Sequence, residues 1–358
     1  DGKPDLGGID EGFSAYVRVL WNMQELPTDE AICGWNDPGI PDLNKTEWNA
    51  DNVWVKGMYY RIFYQITLCN EFIWQARDEK LNERGFTAAQ VEQIVTMRNE
   101  ARFLRALAYY HLMDLFGKAA FNDENSALGV AGPQYDRSQL FAYIESELNS
   151  VIPNLKAPRT NEYGRVDQAV ARMILAKIYL NAQVYIGQDR LADCVTQCNQ
   201  VIAGGYTLNP NYLNNFTADN HLSSEMIFSL QSDGVATQNY GPTTVMINGQ
   251  VGSIEQNGTA LGVGSGGWGG ALRLRKQFVQ KFEGSDFAND DRNTIISGVR
   301  NIDISDVANR DQGYILAKFS NRTSSGVAGI NSTFVDTDFP LFRLADVYLM
   351  YAECAARG

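Results

Sequence analysis

Apolar residues recur at spacings of three to five over long stretches of the chain, the signature of helices with one buried face. Between Val53 and Ala76 the stripe is Val53, Met58, Ile62, Ile66, Cys69, Phe72 and Ile73, which predicts one long helix. Met97 to Phe116 repeats the pattern, and Gly117 follows its last apolar residue as a stop signal, so the two helices are expected to pack antiparallel. Further helices are predicted at Gln139–Ile152, Asp167–Ile186 and Asp189–Ile202, and a last one at Leu344–Ala356 with no partner following it. Short turns between them suggest hairpins stacked on hairpins.

Internal similarity fits this reading. Arg102-Phe-Leu-Arg-Ala106-Leu-Ala-Tyr109 and Arg172-Met-Ile-Leu-Ala176-Lys-Ile-Tyr179 share Arg, Ala four residues on and Tyr three further, and Ala345-Asp-Val-Tyr348 repeats the second half. A small Ala at a helix crossing lets a neighbour approach while the Tyr fills the next layer, as in tetratricopeptide-like helical pairs. The copies are unevenly spaced, because residues 205–338, rich in Gly, Asn, Ser and Thr, interrupt them. Within that segment Glu225–Leu230 and Thr243–Ile247 read as short strands and Leu272–Phe282 as a helix. The expected fold is mostly α: one domain with helical repeats over 1–204, a loop-rich insertion over 205–338, and the start of a further repeat helix over 339–358. Long irregular segments of this kind tend to carry binding sites.

Charge narrows the partners. Of 358 residues, 30 are Lys or Arg and 42 are Asp or Glu, a net −12 that repels nucleic acid and anionic membrane surfaces. The most apolar run, Ala169–Ala182, carries Arg172 and Lys177 and falls short of a membrane span. Five cysteines without tight, even spacing (Cys33, Cys69, Cys194, Cys198, Cys354) read as small buried hydrophobes rather than a disulfide framework.

Catalytic signals are thin. Gly264-Ser-Gly266-Gly-Trp268-Gly269 fits a dinucleotide fingerprint by spacing but follows no βαβ pattern, so its glycines are read as a tight loop presenting Trp268. Only His111 and His221 are present, too few for a His-based triad or metal cluster. The acidic pairs Asp10-Glu11, Asp29-Glu30 and Asp290-Asp291 keep an all-α glycoside hydrolase as an alternative, and a tetratricopeptide-type protein adaptor is another. Asp336-Thr-Asp338 is a weak candidate for a structural calcium ion; no cofactor is expected.

The aromatics say more. Trp21, Trp35, Trp48 and Trp54 fall among polar and turn-forming neighbours near the N-terminus. A sugar site needs flat rings for the C–H face of a pyranose and Asp, Asn or Arg at the rim for its hydroxyls. Asp10, Arg18, Trp35 and Asn36 supply that mix; simple packing of these tryptophans onto the scaffold is the competing reading.

Four blocks, Gly8-Ile-Asp10-Glu-Gly-Phe-Ser14, Trp21-Asn-Met-Gln-Glu-Leu-Pro-Thr-Asp29-Glu-Ala31, Glu100-Ala-Arg-Phe-Leu-Arg-Ala-Leu-Ala-Tyr-Tyr110 and Phe339-Pro-Leu-Phe-Arg-Leu-Ala-Asp-Val-Tyr-Leu-Met-Tyr-Ala352, together resemble the SusD/RagB family, most of all its starch-binding members. The resemblance implies a non-catalytic, outward-facing lipoprotein of the Bacteroidetes outer membrane. Its partners would be starch or α-1,4-linked malto-oligosaccharides and a SusC-like TonB-dependent transporter. The anchoring Cys and the family's last elements fall outside this sequence. By motif position the family's ligand-binding Asp and Arg map to Asp10 and Arg18, its first stacking Trp to Trp35, and its Tyr and second Trp to Tyr240 and Trp268. Pro38 stands where the family's binding Asn is expected, and Asn36 is the expected substitute.

Overall fold

The computed structural model describes residues 12–127, 129–252 and 258–358. The chain divides into two compact units, one of residues 61–208, 224–228 and 341–358, the other of residues 1–60, 209–223 and 229–340. The N-terminal segment thus belongs with the loop-rich insertion and not with the helical repeats that follow it in sequence.

The helical unit is built from successive hairpins. The Val53–Gln75 helix, whose later turns lie in this unit, buries Ile62, Ile66, Cys69 and Ile73, while Phe72 is exposed. The next long helix, Ala88–Phe116, starts earlier than its apolar stripe: Thr87 accepts from Gln90 N–H and the Gln90 side chain answers on Thr87 N–H, closing a capping box. It ends at Gly117, as expected. Gln65 donates to Leu104 O and Arg98 to Ala76 O, so the two helices run antiparallel. Arg137–Val151, Gln168–Leu180, Leu191–Ile202 and Leu344–Arg357 then pack each on the one before. The predicted Asp167–Ile186 helix is capped by Asp167 and breaks at Asn181 into Gln168–Leu180 and Ala182–Ile186.

The first two copies of the repeat motif are buried and the third departs from them. Ala106 and Ala176 are wholly buried, and Tyr109 and Tyr179 are buried with them. The Tyr109 hydroxyl donates to Asn122 O and accepts from Asn122 N–H, and Tyr179 donates to Glu145. Arg102 forks onto Glu147 and Arg172 bonds Gln197. In the third copy Tyr348 is exposed. All five cysteines are buried free thiols, with Cys194 and Cys198 in sulfur contact at 4.0 Å. Burial pushes the Cys33 thiol up to about 11. His111 is buried in the Ala88–Phe116 helix, and that burial holds its imidazole down to about 4. Among the described residues no helix is long and apolar enough to cross a membrane.

The second unit is mostly loops around a small core of Phe216, Met246, Ile247, Val251, Leu261, Val263, Phe319 and Val335, with Trp21 packed on its edge. Its strands are short. Ala31–Cys33 pairs antiparallel with Leu272–Leu274, Ala31 opposite Leu274 and Cys33 opposite Leu272.

Two expected elements differ here. Thr243–Ile247 is not a strand but part of a buried helix, Pro242–Gln250. A short run of β-branched and apolar residues without a clear period fits either element, and Pro242 decides it: at the first helical position its fixed φ favours the helix and its missing N–H costs nothing. Leu272–Phe282 is not one helix: Leu272–Leu274 is drawn into pairing with Ala31–Cys33, and only Lys276–Gln280 is helical.

Candidate functional site

The Pro242–Gln250 helix is the frame of the site. Every residue of it is buried, including the polar Thr243, Thr244 and Asn248, so each of its polar side chains has to find a partner in the surrounding loops. Asn248 Nδ2 donates to Thr244 O on its own helix and to Thr333 O across the unit, both at 2.9 Å. The backbone carbonyl of Asn248 accepts the N–H of Trp268 at 3.0 Å. Thr244 Oγ1 accepts Val335 N–H at 3.4 Å. One helix therefore fixes two loops, and each loop presents an aromatic ring.

Trp268 sits in the glycine run because only glycine fits beside it. At Gly267, φ is +41° and a Cβ would lie 2.3 Å from Val251 Cβ. The spacing that mimics a dinucleotide fingerprint thus serves a tight turn against the helix end.

Trp35 follows the Ala31–Cys33 strand, which the pairing with Leu272–Leu274 holds in register. Its ring reaches the frame at Gly249, where a Cβ would stand 3.2 Å from Trp35 Cη2. The indole N–H points to Trp268 O at 3.4 Å. Tyr240 lies just before the helix, separated from Pro242 by Gly241, and is 36% exposed.

These three rings form a row. Trp35 and Trp268 have centroids 6.2 Å apart with planes at 47°, and Trp268 and Tyr240 are 5.9 Å apart at 48°. Adjacent planes are inclined by nearly the same angle, so the row is not a flat platform. Trp35 and Trp268 are half-buried.

Arg18, on the Tyr16–Glu25 helix, is only 7% exposed, with its guanidinium carbon 5.5 Å from the Trp35 centroid. It also lies 4.9 Å from the Phe13 ring and 5.7 Å from the Trp54 ring, and donates to Gly12 O. Desolvated cation–π contacts of this kind are worth about 2 kcal/mol, enough to fix the face of Trp35. Asn36 is exposed beside Trp35 in sequence. Asp10 lies outside the described residues.

The other N-terminal tryptophans separate from this group. Trp54 is buried and its indole N–H donates to Pro38 O at 3.0 Å, so Pro38 holds the scaffold. Trp21 packs on the apolar core, and Trp48 is exposed. Polar neighbours in sequence therefore single out Trp35 no better than Trp54. What distinguishes Trp35 is the long-range strand pairing beside it.

The carboxylates point elsewhere. Asp336 accepts Gly234 and Ile330 N–H groups and Asp338 accepts Ser232 N–H, so this pair ties the loop leading to Tyr240 onto the 330–338 segment. Asp29 and Glu30 are exposed. Asp290 is held down to about 2 by the Arg292 side chain bonded to it.

Sequence reasoning missed Phe334, Asn248 and Gly249. Phe334 stands among polar neighbours as Trp35 does, a signal that could have flagged it; Asn248 and Gly249 carry no signal before the loops are closed on them.

Residues 275–357 match the model of the SusD family. The whole chain aligns at 33% identity with the starch-binding protein SusD of Bacteroides thetaiotaomicron, covering 70% of that protein. A SusD-like protein P25 of Formosa agariphila is 24% identical over 88% of the chain and 60% of its own length. Among solved structures, a SusD homolog from Bacteroides thetaiotaomicron superposes with a TM-score of 0.74 at 16% identity, covering 96% of this chain and 71% of that one. The surface glycan-binding protein A of the same organism, solved with laminarihexaose, gives 0.71 at 19%, covering 94% and 73%. At these identities the structures share the fold.

Proposed function

The chain belongs to the SusD family, and from that premise we propose that it captures starch or malto-oligosaccharides on the arc of Trp35, Trp268 and Tyr240 without cleaving them. The observation that carries the proposal is that three neighbouring rings stand in one row with their planes inclined by 47° and 48° and none coplanar with the next. A flat, ribbon-like glucan meets coplanar rings best. A glucan whose linkage makes it curl presents the C–H faces of successive sugars at successive angles, and rings inclined to one another suit it better than a flat platform does.

In this reading the rings stack on consecutive glucose units, Asp10 and Asn36 bond hydroxyls at the rim, and Arg18, buried beside Trp35, holds that ring and meets the ligand only at its edge. Stacking of nucleobases on aromatics is worth about 1–3 kcal/mol per ring, a fair guide to a modest affinity for one short oligosaccharide. Polymer binding then gains through many equivalent sites on one chain. Its likeness to the starch-binding protein SusD supports the choice of an α-glucan.

The proposal extends to the cell. The protein acts as one SusD-like domain, lipid-anchored and facing outward at the outer membrane, and hands its glucan to a SusC-like TonB-dependent transporter.

The test is electrophoresis of the native protein through gels containing amylopectin, laminarin or a β-1,4-glucan, with a reducing-sugar assay alongside. Retardation in amylopectin without released sugar is the expected result. Retardation in laminarin alone moves the ligand to a β-1,3-glucan, and released sugar brings forward the hydrolase alternative.

A further inference from the structure

Beyond the three rings, the structure holds a fourth. Phe334 has its ring centroid 5.1 Å from Tyr240, with planes at 56°, continuing the row Trp35, Trp268, Tyr240 by a step close to the two before it. Among the described residues no other ring contact joins members of this row, so its contacts run in sequence and do not close into a cluster.

The backbone beside Phe334 is fixed on every side by buried or half-buried side chains. Its own N–H and that of Thr333 bond Asn331 Oδ1, Thr333 O receives Asn248 Nδ2, Val335 N–H bonds Thr244 Oγ1, and Asp336 N–H bonds Asn321 Oδ1. Asn321 is fully buried and Asn248 and Thr244 nearly so. The neighbouring Val335 enters the apolar core, whereas Phe334 stays out of it and half-exposed. A large apolar ring held at the surface by this many buried polar bonds is preorganised for contact, because the ordering cost of that contact is already met in the free protein.

We propose that Phe334 is a fourth stacking ring, which lengthens the site by one sugar and sets a preference for longer glucans over short ones. This rests on the α-glucan reading above. A trisaccharide can occupy the first three rings and is indifferent to Phe334; a heptasaccharide reaches all four.

The experiment is titration of maltotriose and maltoheptaose into native protein, Phe334→Leu and Phe334→Trp, with thermal midpoints recorded for each. Leu keeps apolar volume and removes the flat face, and Trp restores the face. The expected result is a roughly tenfold loss of maltoheptaose affinity in Phe334→Leu, little change for maltotriose, and recovery in Phe334→Trp. Equal losses for both sugars would make Phe334 a prop for Tyr240 and overturn the proposal, as would unchanged maltoheptaose binding. Native protein binding neither sugar overturns the α-glucan reading itself and this proposal with it, an outcome distinct from failure of Phe334 alone.

Discussion

Asn248 holds Trp268 and Thr333 at once, receiving the N–H of Trp268 on its backbone carbonyl at 3.0 Å and donating its side-chain amide to Thr333 O at 2.9 Å. The glycine run and the segment carrying Phe334 are remote in sequence, and one buried residue fixes their relative position. Asn248→Ala keeps the backbone bond and deletes the amide, leaving Thr333 O without that donor. An unsatisfied buried polar group costs about 1–3 kcal/mol. The expected outcome is a lower thermal midpoint with a several-fold loss of glucan affinity, measured on the same sample by calorimetry and titration.

Gly249 tests the other end of the arc. A Cβ there stands 2.8 Å from Leu272 Cδ1 and 3.2 Å from Trp35 Cη2, so Gly249→Ala must displace one of them. Overpacking of this kind costs about 1–3 kcal/mol. Because the displaced ring is the first of the arc, weakened glucan binding should accompany the loss of stability; a stability loss with unchanged binding would mean that Leu272 alone had moved.

The helical unit has its own sensitive point. Arg105 is 3% exposed and reaches Glu147 at 2.9 Å and Glu124 at 2.5 Å, and Arg102 forks onto the same Glu147. Removing one partner of a buried pair costs about 3–5 kcal/mol, because the charge left behind stays desolvated. Arg105→Ala should therefore lower the thermal midpoint far more than Lys56→Ala, whose pair with Asp51 is exposed.

Stability should also fall with acid in two windows. Burial lowers the His111 imidazole from its ordinary 6.5 to about 4, so the unfolded chain binds a proton that the folded one refuses. The stability from this source is complete above 6.5 and is lost as pH falls from 6.5 toward 4. Burial acts to raise the Glu147 carboxyl, but the bonds and charges of Arg102 and Arg105 outweigh it and hold it below its ordinary value of 4.5. Its contribution is therefore present above 4.5 and lost below. Thermal midpoints between pH 7 and 4.5 should decline in the native protein and decline less in His111→Gln.

Much of the helical unit is legible in sequence, because its information is local. Ile62, Ile66, Cys69 and Ile73 recur at helical spacing and are all buried, and the Ala and Tyr of the first two copies of the repeat motif are buried as well. The loop-rich unit is not legible in the same way. Thr243–Ile247 is short, buried on all sides and lacks a period, so only Pro242 marks it as helix. Trp54 and Trp35 have similar neighbours in sequence, yet one is buried under Pro38 and the other faces Trp268. The identities of Trp35, Tyr240 and Trp268 came from motif position. That they form one row depends on strand pairing and on Asn248, both of which are long-range.

The most direct test of the arc compares three tryptophan variants in one titration series with maltoheptaose: Trp35→Ala, Trp268→Ala and Trp48→Ala. Trp48 is 43% exposed and makes no ring contact with the row, so it controls for the loss of any surface indole. Loss of binding by at least tenfold in Trp35→Ala and Trp268→Ala, with Trp48→Ala equal to native, is the expected result. Native affinity in both arc variants would contradict the account.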